Sequence, residues 1–145
     1  MYLFDTNAVI YFLSGENEAV SLVKEILKSN KTIYVPTIVR LELFSKPNLT
    51  SIEQNAIYDF LSSTIEINLD GTIADIASAV RRSFKIKVAD SIVAASAIYT
   101  NSFLVTRNTK DFKIEGLRVV KVFPKSKPPK VVFGGFVSCR SFVVG

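Results

Sequence analysis

The sequence predicts an α/β domain with a mostly parallel sheet of about five strands. Along the first 123 residues, short segments with strand composition alternate with segments in which apolar residues recur at helical spacing. Parallel strands need crossover connections, which helices of this length supply. The chain has 145 residues and is 48% hydrophobic, so it is long and apolar enough for one domain with a buried core.

The first elements are a strand and two helices, followed by a second strand. Residues 1–5 are an apolar run that ends in an acid, and apolar residues continue at helical spacing over 7–13. In 18–29, apolar residues recur every three or four positions and charged residues occupy the other face, which predicts an amphipathic helix. Residues 32–35 are β-branched or aromatic and therefore predict a strand.

The middle of the chain continues the alternation. Pro36 suits the entrance of a helix over 37–45, because its fixed φ angle fits the first turn. Residues 51–62 form the next predicted helix, with Ser51 and Glu53 at its start. Residues 64–68 are predicted as a strand.

The last elements are two helices and two strands. Residues 72–84 and 89–100 are predicted as helices, and the second of these is rich in small residues and almost free of charge. Strands are predicted at 103–106 and 118–123. The order of elements favours crossover-connected strands over the hairpins of an all-β fold.

The predicted domain ends near Phe123, where the composition changes. Three prolines and three lysines give residues 124–130 the character of a linker. Residues 131–145 are apolar and interrupted by glycine. We therefore expect a domain over 1–123 and a tail over 124–145, which could add edge strands, contact a partner or be an incidental extension.

Composition excludes several kinds of chemistry. The chain has no histidine and a single cysteine, Cys139, which excludes Cys/His zinc sites, histidine-dependent triads and an internal disulfide. Hydrolytic chemistry would therefore depend on carboxylates. No apolar run approaches the roughly 18 residues of a membrane span, and Asp5 stands where a signal peptide would carry basic residues. We expect a cytoplasmic protein that does not contact a membrane.

Charge is unevenly distributed along the chain. The whole sequence has a formal charge of +5, but residues 1–80 carry −5 and residues 81–121 carry +6. Residues 125–145 add four basic side chains and no acid. A basic half can attract a polyanion, because phosphates that bind cationic side chains release counterions. A solvated basic surface is the ordinary alternative, and charge alone favours it.

Four acids lie at positions that matter in a parallel sheet. Asp5 ends the first strand and Asp111 follows the fourth, so both are expected at the edge where ligands bind in open α/β sheets. Glu42 is the only acid in an apolar helix. Asp90 opens the nearly uncharged helix, whose small residues permit close packing, so we expect it to be partly buried.

Each acid also has an ordinary explanation. Asp5 and Asp90 could cap helices. Glu42 could pair with Arg40 or with Lys46, and the acid after the fourth strand could be a turn residue. Taken together, four acids at compatible sites would repel one another unless cations held them. An all-oxygen ligand set suits Mg²⁺ or Mn²⁺.

The order of these residues resembles a known family, the PIN domain, and more narrowly the VapC-type ribonuclease toxins. The resemblance covers residues 1–123. It is carried by Asp5-x-Asn7, by Glu42 between two leucines, by Asp90 ahead of Ile92 and Ala94-Ala95, and by Thr106-x-Asn108-x-x-Asp111-Phe112. On this resemblance Asp5, Glu42, Asp90 and Asp111 occupy the family's four acidic, metal-binding positions. Asn7, Thr106 and Asn108 match its polar supporting positions.

The resemblance implies a fold, an activity and partners. The fold would be a three-layer α/β/α sandwich. The activity would be Mg²⁺- or Mn²⁺-dependent endoribonuclease cleavage by the toxin of a type II toxin–antitoxin pair. It also implies a homodimer and an antitoxin partner. The alternatives are a PIN-like RNA-processing nuclease without an antitoxin, a phosphohydrolase of small substrates and a non-catalytic interaction domain.

Two groups of side chains are candidates for RNA contact. The candidate phosphate contacts are Arg81, Arg82, Arg107 and Lys110, each of which could equally be a solvated charge. The candidate base-stacking aromatics are Tyr2, Tyr11, Tyr58 and Phe112, for most of which core packing is the ordinary role.

Overall fold

The computed structural model describes residues 1–121. Its strands are β1 Tyr2–Phe4, β2 Ile33–Pro36, β3 Ile65–Ile67, β4 Phe103–Val105 and β5 Val119–Val120. Its α-helices are α1 Thr6–Leu13, α2 Asn17–Lys28, α3 Thr37–Phe44, α4 Ser51–Ser62, α5 Gly71–Phe84 and α6 Val88–Thr100. The end of the last predicted strand and the whole predicted tail lie outside the described residues.

The five strands form one sheet in the order β3-β2-β1-β4-β5, and every neighbouring pair is parallel. The prediction of a parallel α/β sheet of about five strands is confirmed. Because crossovers between parallel strands are right-handed, this strand order sends the β1–β2 and β2–β3 connections across one face of the sheet and the β3–β4 connection across the other. The chain leaves β1 in one direction for β2 and returns past it to β4. The sheet therefore has its switch point between β1 and β4.

Side-chain caps explain where several helices begin. The Ala8 amide donates to Asp5 Oδ1 at 2.9 Å, and the Ile73 amide donates to Asp70 Oδ1 at 3.0 Å. At the start of α4, Thr50 and Glu53 form a reciprocal capping box. Such short-range hydrogen bonds can be recognised in sequence, which is why most helix ends fall within two residues of their predicted positions.

The structure differs from the prediction after β4. Residues expected to form a loop instead form a short 3₁₀ helix, Thr109–Phe112. Phe112 is buried in the core, and so is Ile114, which holds this segment against the domain. The acid in the segment, Asp111, is therefore on an ordered turn whose other side is anchored by apolar packing.

Within residues 1–121, five aromatic side chains are buried in the core: Phe4, Tyr11, Phe12, Phe60 and Phe112. Phe12 packs against Phe60 with ring centroids 5.4 Å apart. Tyr11 and Phe112 are also buried, so the suggestion that they stack on bases is wrong, because their rings are already enclosed. Tyr2 is half-buried and packs against another ring. No helix within residues 1–121 is both long enough and apolar enough to cross a membrane.

Candidate active site

The switch point of the sheet brings two sequence-predicted residues together. Asp5 directly follows β1, Thr106 directly follows β4, and the Asp5 amide donates to the Val105 carbonyl at 3.3 Å. Both side chains are withdrawn from solvent: Asp5 is 8% exposed and Thr106 is 0% exposed. A crevice at the carboxyl ends of neighbouring parallel strands is where open α/β sheets bind ligands.

A set of hydrogen bonds connects Asp5 to Asp111. The Thr106 hydroxyl hydrogen-bonds the Asp5 carboxylate, and the Asn108 amide donates to Thr106 Oγ1 at 3.1 Å. The Asn108 side-chain amide also donates to the Asp111 carboxylate. Two of the three predicted supporting residues therefore link the acid that follows β1 to the acid of the 3₁₀ helix. The third, Asn7, is exposed at the second position of α1.

The four predicted acids influence one another electrostatically. Burial raises the pKa of Asp5 to about 6, against the lowering effect of its hydrogen bonds, and the charges of Asp90 and Glu42 raise it further. Burial also raises the pKa of Asp90, the nearby Asp111 adds to that effect, and Lys87 opposes it. Each of the four predicted acids thus influences at least one other: Glu42 and Asp90 act on Asp5, and Asp111 acts on Asp90.

The ordinary explanations hold for Asp5 and fail for Asp90. Asp5 does cap α1 through one carboxylate oxygen, as the sequence suggested. Asp90 does not cap α6, because this helix begins at Val88 with Lys87 as its N-cap, and Asp90 falls within the first turn. The cap interpretation of Asp90 was wrong, because helical backbone continues two residues further toward the N-terminus.

Glu42 is also not paired as its sequence neighbours suggested. The Arg40 guanidinium contacts Glu66 at 3.0 Å, and the Lys46 ammonium contacts Glu53. Glu42 instead accepts a hydrogen bond from the Thr6 hydroxyl at 3.1 Å. Sequence analysis missed Thr6, although its position between Asp5 and Asn7 placed it beside the candidate site.

The donor set fits a hard divalent cation. All four candidate ligands are carboxylates, and within residues 1–121 none of the four forms a salt bridge with a basic side chain. In that same part of the chain no three acids are already gathered into a compact ligand cluster. Mutual repulsion keeps charged carboxylates apart, and a bound cation would relieve it. Mg²⁺ and Mn²⁺ are the cations that such oxygen ligands favour.

The candidate phosphate contacts have different surroundings. Lys110 is exposed beside Asp111. Arg107 donates to the Tyr11 hydroxyl at 2.7 Å and lies over its ring, so it is engaged with the core. Arg81 donates through Nε to the Ile86 carbonyl at 3.1 Å, and Arg82 is exposed on α5.

A cleft of about 340 Å³ lies against the two outer acids of the site. Its lining consists of Phe84, Lys85, Ile86, Lys87, Asp90, Lys110, Asp111 and Lys113. We call this feature the lysine cleft. Sequence analysis identified Lys110 and missed Lys85, Lys87 and Lys113. The positive charge of residues 81–121 was the available signal, but it did not show which of those charges converge.

Comparison with known proteins agrees with this site and fold. The PIN domain family model matches residues 2–115. Ribonuclease VapC19 of Mycobacterium tuberculosis is 28% identical over 134 residues, covering 89% of this chain and 99% of that protein. Ribonuclease VapC2 of Rickettsia felis is 29% identical over 121 residues, covering 78% of this chain and 90% of that protein.

Solved structures show the same similarity in three dimensions. A chain of VapBC2 from Rickettsia felis, bound to a DNA fragment from its promoter, has a TM-score of 0.74 and 27% identity over 83% of this chain and 97% of its own. A chain of a toxin–antitoxin complex from Klebsiella pneumoniae has a TM-score of 0.70 and 34% identity over 85% of this chain and 98% of its own. With its parallel five-stranded sheet and its acids at the switch point, the chain belongs to the PIN domain family and is similar within it to the VapC ribonucleases.

Proposed function

We propose that this protein is a metal-dependent endoribonuclease and the toxin of a toxin–antitoxin pair. The observation that carries the proposal is the environment of Asp5, a nearly buried carboxylate at the sheet's switch point that two further carboxylates repel. The cap that Asp5 supplies to α1 does not need a charge, since asparagine would also cap the helix, whereas a bound cation would offset the repulsion between the carboxylates. The relatives named as ribonucleases align with this chain over 99% and 90% of their own lengths, which supports RNA as the substrate.

Asp5, Glu42, Asp90 and Asp111 would hold the metal, which we propose is Mg²⁺ or Mn²⁺. A bound ion of this kind lowers the pKa of a water molecule and stabilises negative charge at a phosphodiester. The protein's part is to supply negative charge and hard oxygen donors at one edge of the sheet. Such charged donors would hold a divalent cation more firmly than solvent does.

Thr106 and Asn108 act as positioning residues. The Thr106 hydroxyl donates to Asp5 and accepts from the Asn108 amide, so it fixes the orientation of the buried carboxylate. The Asn108 side chain restrains Asp111 in the same way. Groups that orient metal ligands commonly contribute 10–100-fold in affinity or activity. The Thr6 hydroxyl restrains Glu42, which completes the support of three of the four acids.

RNA cleavage with matched carboxylate variants tests this function. The purified protein should cleave single-stranded RNA in Mg²⁺ or Mn²⁺ and stop when a chelator is added. Asp90→Asn should retain the fold and lose at least about 100-fold in cleavage rate, because it removes a charge worth several kcal/mol at the cation. Asp75→Asn, an exposed position on α5, is the control and should cleave at the parental rate. Equal cleavage by the parent and Asp90→Asn would exclude Asp90 as a ligand.

The same proposal predicts that this chain binds an antitoxin and a second copy of itself. Solved relatives are described as toxin–antitoxin complexes, which supports an antitoxin as the binding partner of this chain. We expect the toxin to act on cytoplasmic RNA and to form a homodimer. Expression of the chain alone should arrest bacterial growth, and co-expression of its antitoxin should restore growth. Growth that continues at full rate while active protein accumulates would contradict a toxin role but not ribonuclease activity.

A further inference from the structure

The lysine cleft brings together four lysines from two separate parts of the chain. Lys85 and Lys87 come from the turn between α5 and α6, and Lys110 and Lys113 come from the 3₁₀ helix and the residue that follows it. All four lysines are exposed. None of them forms a salt bridge within the described residues 1–121. The four lysine charges outnumber the two acids of the same lining, Asp90 and Asp111, so the cleft has a net charge of +2 and attracts anions.

The turn that carries the first two lysines is held in place. Lys85 ends α5 in the left-handed conformation, with φ 51° and ψ 41°. Across this turn Arg81 donates through Nε to the Ile86 carbonyl at 3.1 Å. The hydrogen bond fixes the backbone between the two lysines. Arg81, which the sequence suggested as a phosphate contact, therefore positions the backbone that carries Lys85 and Lys87.

The other walls of the cleft offer an aromatic and apolar surface that suits the base of a nucleotide. Phe84 is 39% exposed and lines the cleft, so its ring can receive a base. Ile86 is half-buried and adds apolar surface beside it. The volume of about 340 Å³ is within the range of a small-molecule site, roughly 300–1,000 Å³. The opposite wall contains Asp90 and Asp111, two of the proposed metal ligands.

We infer that the lysine cleft binds the nucleotide of single-stranded RNA that lies next to the scissile phosphate, with its base on Phe84 and its phosphates on the lysines. The inference rests on the proposed ribonuclease function. A phosphodiester strand suits both ends of the cleft, because its anionic oxygens can meet a metal held by Asp90 and Asp111 as well as the ammonium groups. An acidic peptide would also meet the lysines, but its carboxylates would be competing with Asp90 and Asp111 for the metal.

Equilibrium binding tests the inference apart from catalysis. The probe is a fluorescein-labelled oligouridylate ten-mer, titrated with the full-length protein in chelator and 0.1 M salt, so that no cleavage occurs. The cleft variant is Lys85→Gln with Lys113→Gln. The control is Lys28→Gln with Lys31→Gln, which changes the net charge equally at the end of α2 and before β2. Far-UV circular dichroism checks the fold, and Lys113→Gln alone serves if the double variant does not fold.

Each lost phosphate contact lowers the salt slope by about 0.7, which lowers RNA affinity about fivefold at 0.1 M salt. The cleft variant loses two such contacts and should therefore bind the oligonucleotide about 25-fold more weakly than the parent. The control should stay within about twofold of the parent. Phe84→Leu keeps an apolar wall and removes the aromatic face, so affinity should fall roughly 5- to 150-fold with an unchanged salt slope. In Mg²⁺ the cleft variant should raise the KM for RNA cleavage more than it lowers kcat.

Four other results are possible, and each would contradict either the RNA subsite or the ribonuclease function. Equal losses in the cleft variant and the control would show that the lysines attract RNA only by net charge. Unchanged RNA binding with weakened binding of a decaglutamate peptide would assign the cleft to an acidic protein instead. If the parent cleaves RNA and the cleft variant binds and cleaves RNA as well as the parent does, the subsite is refuted but the ribonuclease function is not. An absence of metal-dependent cleavage by the parent refutes the ribonuclease itself.

Discussion

At the scale of single residues, Asp5 serves two purposes that have opposite effects on stability. One carboxylate oxygen caps α1, which stabilises the helix. The negative charge itself is unfavourable, because burial and two neighbouring acids raise the pKa of Asp5 to about 6. Asparagine can supply a cap without the charge. Binding of a cation explains why this position is aspartate rather than asparagine.

The pH dependence of stability should reveal this charge in the metal-free protein. A carboxyl group whose pKa is raised on folding destabilises the folded state increasingly as pH rises from about 4 to 6, and the effect is then constant. At pH 7 the contribution of Asp5 is about 3 kcal/mol. Asp5→Asn should therefore melt at a higher temperature than the parent in chelator at pH 7, and the difference should vanish near pH 4.

Addition of Mg²⁺ provides the complementary measurement. The ion should raise the melting temperature of the parent at pH 7, because a ligand that binds only the folded state stabilises it by mass action. The same addition should leave Asp5→Asn nearly unchanged. A variant that melts below the parent in chelator at pH 7 would show that Asp5 is needed for the fold rather than for a cation.

The hydroxyl of Thr106 gives a second residue-scale prediction. Thr106→Val preserves shape but removes the donor to Asp5 and the acceptor of the Asn108 amide. We expect a 10–100-fold loss of Mg²⁺ affinity, measured by calorimetry. Thr106→Ser should recover most of it, since serine restores the hydroxyl. A loss of affinity that serine does not restore would indicate a packing defect at this fully buried position.

At the scale of elements, a capping box and an ion pair hold the start of α4. The Glu53 side chain accepts hydrogen bonds from Lys46 and from the Thr50 amide. These interactions, chiefly the hydrogen bond from Lys46, lower the pKa of Glu53. A depressed carboxyl pKa contributes stability above the unfolded-state value, and this contribution is lost as pH falls through the folded-state value.

Glu53→Gln should therefore destabilise the protein at pH 7 by about 1 kcal/mol, because it keeps a capping acceptor and loses the charge. The difference from the parent should shrink toward zero in acid as Glu53 becomes protonated. Urea unfolding at pH 7 and pH 3 measures both values. Glu25→Gln, an exposed position on α2, is the matched control and should change stability by less than about 0.5 kcal/mol at either pH. A constant difference between pH 7 and pH 3 would exclude the charge as its cause.

Elements were more predictable than the contacts between them. The strand that ends at Asp5 and the apolar helix around Glu42 could be located from local patterns, because periodicity and caps are short-range properties. The helix α6 begins at Val88, one residue before its predicted start, and its N-cap residue Lys87 makes no side-chain capping hydrogen bond that the sequence could display. The Thr6–Glu42 hydrogen bond joins residues 36 positions apart, and only the packing of α3 beside α1 creates it.

At the scale of the whole molecule, acids and lysines divide the edge of the sheet into two regions. Asp5 at the end of β1 and Glu42 on α3 form the acidic region, and the lysine cleft between the α5–α6 turn and the 3₁₀ helix forms the basic one. Asp90 and Asp111 line the cleft, so the two regions adjoin there. The charge imbalance between residues 1–80 and 81–121 predicted this separation only coarsely. A polyanion is drawn to the basic region and meets the acidic one only where a cation is bound.

Removal of residues 125–145 tests where the functional domain ends. The family model ends at residue 115 and β5 ends at Val120, so we propose that residues 1–124 fold on their own. The truncation removes four basic charges and no acid, which lowers the formal charge from +5 to +1. If those charges only attract RNA, the salt slope of RNA affinity should fall by at most about 2.8, at about 0.7 for each phosphate contact. Metal-dependent cleavage at saturating RNA should persist, because all four acids remain. A thermal melt and sedimentation velocity measure the outcome, and loss of cooperative unfolding or of the native assembly would show that residues 125–145 belong to the folded unit.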